Sequence, residues 1–156
     1  MKIIITLGIG DGPTELSAFD NALHQAGIAN YNLIRLSSVI PAGSEIIDKK
    51  IDWNNKEYGH RLYLVYSECS ASEPGKEAWA GLGWITEEKT GKGLLVEHHG
   101  PSEAEVKKQI NDSLKRMQEY RPDKYGKISH KVVGIKCKGK PVCAIVAAVY
   151  KSEGWN

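Results

Sequence analysis

Two adjacent serines are the first side chains in this sequence that could do covalent chemistry. Ser37 and Ser38 lie at the end of a predicted strand, and Pro41 follows in the next turn. A serine hydroxyl becomes a nucleophile when a neighbouring group takes its proton. A serine pair in this position is by itself typical of an ordinary strand exit, so a functional site requires further residues.

Two carboxylates in apolar surroundings supply that further evidence. Asp20 falls on the predicted apolar stripe of a helix, one turn after Leu16, so we expect its charge to be shielded from water. Glu97 is embedded in the apolar run LLVEH, residues 94–98. A buried carboxylate is costly unless it is paired or held neutral. Two such placements in one small chain indicate a site.

Three other patterns are better explained by structure than by chemistry. The glycines of residues 8–12 (GIGDG) lack the spacing of a dinucleotide site and the Lys-Ser/Thr of a P-loop, so they predict a flexible strand-to-helix connection. His98 and His99 point to opposite faces of a strand and are poorly placed to share a metal ion. Cys137 and Cys143 lie one residue out of register across a predicted turn, which favours buried free thiols. We predict no metal site.

Periodicity and capping signals predict the elements that must position these residues. Strands are predicted over residues 2–7, 31–36, 61–68, 77–86 and 93–99, and helices over 14–27 and 102–121. A hairpin, 128–138 and 141–150, is predicted to turn at Gly139-Lys140. This order indicates mixed α/β layers rather than a parallel doubly wound sheet.

Composition excludes several classes of function. The 156 residues predict one domain, residues 1–156. The net charge of +2 gives no reason to expect nucleic acid or anionic lipid as a partner, and no apolar run is long enough for a membrane span. The start of the chain predicts a first strand rather than a signal peptide. Three unevenly spaced cysteines are typical of a cytoplasmic protein.

Several blocks of this sequence resemble the pyruvoyl-dependent arginine decarboxylases. They are PTELSAFDNAL (residues 13–23), AGI (26–28), NLIRLSSVIP (32–41), GLLVE (93–97) and the alanine-rich ending 144–150, so the resemblance covers nearly the whole chain. It implies an α/β (α+β) fold of the histidine/arginine decarboxylase type, a four-layer αββα sandwich. It also implies homotrimers, or dimers of trimers, with sites between subunits.

The resemblance further implies that the chain cuts itself between Ser37 and Ser38, giving residues 1–37 and 38–156. Ser38 would become a covalent pyruvoyl group, which forms a Schiff base with the substrate amine and accepts the electrons left by CO₂. Asn32 would support the pyruvoyl group, and six residues before Ser38 along one strand it would face the same side. Glu97 would return a proton to the substrate carbon, and Asp20 and Ser37 would contact the substrate, with Asp20 pairing with the guanidinium.

The implied function is therefore decarboxylation of L-arginine to agmatine and CO₂. Two alternatives stay open at this point. One is a pyruvoyl enzyme acting on another amino acid, such as histidine or lysine, because an acidic residue does not by itself separate guanidinium from ammonium. The other is an unprocessed homologue that acts as a subunit or binding module.

Overall fold

The computed structural model describes residues 1–52 and 55–156, which form two sheets and two α-helices. In chain order the elements are β1 (Lys2–Asp11), α1 (Glu15–Ala26), β2 (Asn32–Arg35), β3 (Val39–Ile40), β4 (Glu45–Asp48), a 3₁₀ turn (Asn55–Glu57), β5 (Arg61–Ala71), β6 (Glu77–Thr86), β7 (Gly93–Gly100), α2 (Glu103–Glu119), β8 (Ser129–Lys136) and β9 (Val142–Glu153). The two short strands β3 and β4 were not predicted from the sequence.

The elements stack as four layers, helix on sheet on sheet on helix. The first sheet has the strand order β2-β5-β9-β1-β4 and the second the order β3-β7-β6-β8. Helix α1 packs on the outer face of the first sheet and α2 on the outer face of the second. Apolar side chains from the two inner faces, such as Ile5, Val146 and Leu82, fill the layer between the sheets, which we call the inter-sheet core. The predicted αββα sandwich is confirmed.

The glycines of residues 8–12 are mostly part of strand β1, so the predicted flexible connection is wrong there. The strand runs on to Asp11 by pairing with β9, and Gly8 and Gly10 let α1 approach it closely. A Cβ on Gly8 would lie 2.1 Å from the carbonyl oxygen of Ala22, and one on Gly10 would lie 2.6 Å from the Ala22 nitrogen. These glycines serve helix-to-strand packing.

Helix α1 has the predicted ends, and its buried face agrees with the predicted apolar stripe at Leu23 and Ala26 but not at Leu16. Thr14 caps its start through the backbone N–H of Ser17, and Gly27 ends it with a left-handed φ of 77°. The buried side chains are Ala18, Ala22, Leu23 and Ala26, small enough to sit against the glycines of β1. Leu16 is 76% exposed, so the face that carries Leu16 and Asp20 points outward. Helix α2 is as predicted, with Val106, Ile110 and Leu114 buried.

The predicted final hairpin is wrong, because β8 and β9 belong to different sheets. Strand β9 pairs with β1 and β5 at the centre of the first sheet, and residues 142–149 are all buried. Such a continuous apolar run is typical of a strand covered on both faces, whereas β8 is only partly buried at the edge of the second sheet. Cys137 and Cys143 are buried free thiols, as predicted. Within residues 1–52 and 55–156, no helix combines the length and apolar character needed to cross a membrane.

Candidate active site

The serine pair lies where the chain crosses from one sheet to the other. The backbone N–H of Leu36 still bonds to the first sheet, donating to the carbonyl of Leu64 at 2.9 Å. Two residues later the carbonyl of Ser38 accepts from the N–H of Leu95 in the second sheet, also at 2.9 Å. The peptide between Ser37 and Ser38 therefore spans the two sheets, with Ser37 exposed and Ser38 half-buried.

Ser38 has a backbone conformation that residues other than glycine rarely adopt. Its φ is +52°, in the left-handed region. A residue held there costs about 1–3 kcal/mol and persists only when its surroundings enforce it. Such strain is common at active sites, and here it falls on the second serine of the pair.

The hydroxyl of Ser38 donates to the carboxylate of Glu97. The distances are 3.0 Å to Oε1 and 2.8 Å to Oε2, across 59 positions of sequence. Glu97 points this way because β7 alternates: Leu94 and Val96 pack under α2, whereas Leu95 faces the inter-sheet core. Glu97 therefore lies on the inter-sheet side, half-buried at the rim. The structure brings these two predicted residues together.

Tyr150 adds a residue to the site that sequence reasoning missed. Its hydroxyl donates to the carbonyl of Val39 at 2.8 Å, directly after Ser38. Burial raises the pKa of Tyr150 to about 12, and the charge of Glu97 adds to this shift. A single polar ring directly after the buried apolar run 142–149 was the available signal.

His98 and His99 diverge, as predicted from strand geometry. His98 turns towards α2, where its Nε2 lies 2.8 Å from Ser113 Oγ, and burial lowers its pKa. His99 is exposed. Across the part of the chain that the structure describes, no three His, Cys, Asp or Glu side chains form a metal-binding group.

Asn32 and Ser38 do not lie on one continuous strand, in contrast to the prediction that the two share one strand face. Strand β2 ends at Arg35, before the chain changes sheets, so the alternation of faces does not carry over to Ser38. The side-chain amide of Asn32 donates instead to the carbonyl of Gly59 at 2.7 Å. This contact joins β2 to the loop before β5.

Asp20 is exposed, so the prediction that its charge is shielded is wrong. Its side chain is 63% exposed, and its carboxylate lies 3.7 Å from His24 Nε2, one turn away on the same helix. The error arose because the small residues of α1, rather than Leu16, face the sheet. Helix α1 also lies on the opposite side of the first sheet from Glu97. Within one chain, Asp20 and the Ser38–Glu97 pair are separated by that sheet.

Comparisons with known proteins identify the family of this chain. A family model described as pyruvoyl-dependent arginine decarboxylase matches residues 2–154. The chain belongs to the pyruvoyl-dependent arginine decarboxylase family. Relatives of that name include one from Thermococcus sibiricus, 37% identical over 149 residues, and one from Pyrococcus furiosus, 37% identical over 153 residues; each match covers 95% of this chain and 93% of the relative. A solved pyruvoyl-dependent histidine decarboxylase matches 64% of this chain and 57% of its own, with a TM-score of 0.45 and 15% identity.

A member of the pyruvoyl-dependent arginine decarboxylase family carries a covalently bound pyruvoyl group, the predicted cofactor. The residues around Ser38 fit such a group. The Ser38 hydroxyl has an acceptor in Glu97, and its backbone is strained and half-buried at the rim of the inter-sheet core.

Proposed function

We propose that this chain cleaves itself between Ser37 and Ser38 and then decarboxylates L-arginine to agmatine and CO₂. The observation that carries the proposal is the contact of the Ser38 hydroxyl with both carboxylate oxygens of Glu97. Membership of the pyruvoyl-dependent arginine decarboxylase family supports the choice of reaction and substrate. In this proposal residues 1–156 form a single domain before cleavage, and fragments 1–37 and 38–156 remain together afterwards.

Cleavage begins when Ser38 Oγ attacks the carbonyl carbon of Ser37 through a five-membered ring. Glu97 accepts the hydroxyl hydrogen bond and orients the attack. As the C–N bond breaks, the hydroxyl proton passes to the released nitrogen, so the amide becomes an ester. Loss of the Cα proton of residue 38 then breaks the Cβ–Oγ bond and frees the Ser37 carboxylate. Water hydrolyses the remaining dehydroalanine to the pyruvoyl group and ammonia. The positive φ of Ser38 favours the first step, because opening this peptide releases strain.

In decarboxylation the pyruvoyl carbonyl supplies an electron sink for the pair of electrons left by CO₂. Glu97 is the residue next to position 38 that can deliver a proton to the substrate carbon after CO₂ departs. Its place at the rim of the inter-sheet core keeps one side of the reacting group away from water. Ser37 is exposed beside it and is proposed to contact the substrate.

The guanidinium of arginine is proposed to pair with Asp20 of a second copy of the chain. The exposed carboxylate on α1 lies across the first sheet from Glu97 of its own chain, so the two groups meet only if copies assemble. Apolar side chains are exposed near both groups: Leu16 is 76% exposed beside Asp20, and Val39 is 59% exposed beside Ser38. We propose a homotrimer, or a dimer of trimers, as the assembly. The three unpaired cysteines support a proposed location in the reducing cytoplasm.

Intact mass spectrometry of the purified protein tests the cleavage. We expect two masses, one for residues 1–37 and one for a chain that starts with a pyruvoyl group at position 38. Ser38→Ala removes the nucleophile and should stay whole. Ser72→Ala is a matched control, because the Ser72 hydroxyl also donates to a glutamate carboxylate, that of Glu15 at 2.7 Å. This variant should cleave like the wild type.

The substrate is tested by CO₂ release from arginine, lysine and histidine. We expect arginine to be preferred, because a single ammonium cannot make the two parallel hydrogen bonds of a guanidinium. A wild-type chain that stays whole yet releases CO₂ would refute the cleavage. A preference for lysine or histidine would refute the substrate while leaving the cleavage standing.

A further inference from the structure

The hydroxyl of Tyr150 forms a hydrogen bond between the two sheets, at Val39, the residue that follows the serine pair. Tyr150 lies on β9 in the first sheet, and the carbonyl that it binds, that of Val39, lies on β3 in the second sheet. The tyrosine is half-buried and its ring packs against the inter-sheet core. Burial keeps its pKa near 12, so the hydroxyl remains a hydrogen-bond donor at neutral pH.

Together with two other contacts, this bond fixes residue 38 on its C-terminal side. The carbonyl of Ser38 accepts from Leu95, and its hydroxyl donates to Glu97. Strand β3 has only two residues, so few ladder hydrogen bonds hold this segment against β7. The Tyr150 bond therefore adds to the polar contacts that hold this segment, and with it Ser38 at a φ of +52°.

The hydrogen bond between Tyr150 and Val39 also matters after cleavage, because both residues belong to the same fragment. Tyr150 and Val39 both belong to residues 38–156, whereas Leu36, which ties the other side of the crossing to Leu64, belongs to residues 1–37. After cleavage the Leu36 hydrogen bond no longer restrains residue 38, because the peptide bond that joined the two fragments is broken. The bonds from Tyr150 and Leu95 still do, and they keep the new terminus beside Glu97.

We propose that Tyr150 is a positioning residue that holds residue 38 against Glu97, first for self-cleavage and then for decarboxylation. The inference rests on the proposed function. Tyr150 acts through the Val39 carbonyl and exchanges no proton with the reacting atoms. Its contribution is the geometry of one hydrogen bond, so a variant without the hydroxyl should react more slowly without losing the reaction.

Tyr150→Phe tests this, because it removes the hydroxyl and keeps the ring that packs on the core. Chains made in a cell-free system are sampled over time, and the cleaved fraction is measured by intact mass. We expect cleavage to be about 2- to 12-fold slower than in the wild type, the loss expected for one neutral hydrogen bond. The cleaved variant should also show a lower kcat for arginine at an unchanged KM.

Tyr31→Phe is the matched control. The Tyr31 hydroxyl also makes a half-buried hydrogen bond, to Glu57 Oε2 at 2.7 Å, but it has no bond to the segment around Ser38. It should cleave at the wild-type rate, and both variants should melt at similar temperatures. Equal slowing in both variants, or wild-type cleavage and kcat in Tyr150→Phe, would overturn the role of Tyr150. A wild-type chain that stays whole would overturn the proposed function, and this inference with it.

Discussion

Replacing Glu97 by Gln should separate the two reactions proposed for this site. Both carboxylate oxygens of Glu97 accept from the Ser38 hydroxyl. The amide of Gln has the same shape and keeps one oxygen as an acceptor, so Ser38 should stay in place. A hydrogen bond to a charged group contributes about 1 kcal/mol more than one to a neutral group, which predicts cleavage about fivefold slower.

Turnover should suffer far more than cleavage in Glu97→Gln. An amide has no acidic proton to deliver to the substrate carbon after CO₂ leaves. General acid catalysis of this kind contributes about 10²–10⁴-fold, so kcat should fall by that factor. CO₂ release from arginine is measured and divided by the cleaved fraction from intact mass, so that slow cleavage is not mistaken for slow turnover.

Glu57→Gln provides the control for this variant. Glu57 is also half-buried and also accepts a hydroxyl hydrogen bond, from Tyr31, but lies at the 3₁₀ turn rather than at the serine pair. It should cleave and turn over as the wild type does. Near-normal kcat in cleaved Glu97→Gln would remove Glu97 from the decarboxylation. Complete failure to cleave would show that the charge itself is required and refute the argument from shape.

The remaining predictions concern the carboxylate of Asp20, the sharing of sites between copies, and the packing of α1. Asp20→Asn should cleave normally but raise the KM for arginine about tenfold or more, since a charged partner is lost; an unchanged KM would refute the pairing. Chains that carry only Asp20→Asn can be mixed with chains that carry only Glu97→Gln and reassembled. If sites are shared between copies, about a quarter of the sites should contain both intact residues by random assortment, and activity should return. No recovery would place each site within one chain. Gly8→Ala should lower the free energy of unfolding by about 1–3 kcal/mol or more, because its Cβ would lie 2.1 Å from the carbonyl of Ala22, whereas Gly126→Ala has its nearest neighbour at 3.4 Å and should melt near the wild-type temperature.

Local signals in the sequence predicted the elements well where the cause was local. Thr14 and Gly27 mark the ends of α1, because a cap is a contact with residues only three or four positions away. The spacing of Val106, Ile110 and Leu114 predicts the buried face of α2 for the same reason. The αββα arrangement came from the family resemblance and agrees with the structure.

The predictions were wrong where the burial of a residue or the pairing of a strand depends on an element distant in the sequence. The predicted apolar stripe includes Leu16 and so places Asp20 in the core, but Gly8 and Gly10 admit a helix face of Ala18, Ala22 and Ala26 beside Leu23. The segments that become β8 and β9 are two β-rich runs joined by a short turn, a pattern that predicts a hairpin. Only the pairing of β9 with β1 and β5 places them in different sheets.

The candidate site shows the same division. The sequence alone indicated Ser38 and Glu97 as candidates, through the serine pair and through a carboxylate in an apolar run. Their distances, and the contact of Tyr150 with Val39, needed the fold, because these pairs are separated by 59 and 111 positions. The change of sheet after Arg35 also decided the place of Asn32. Caps and periodicity act over one helical turn or along one strand, whereas a site at the rim of two sheets forms only when distant strands pack together.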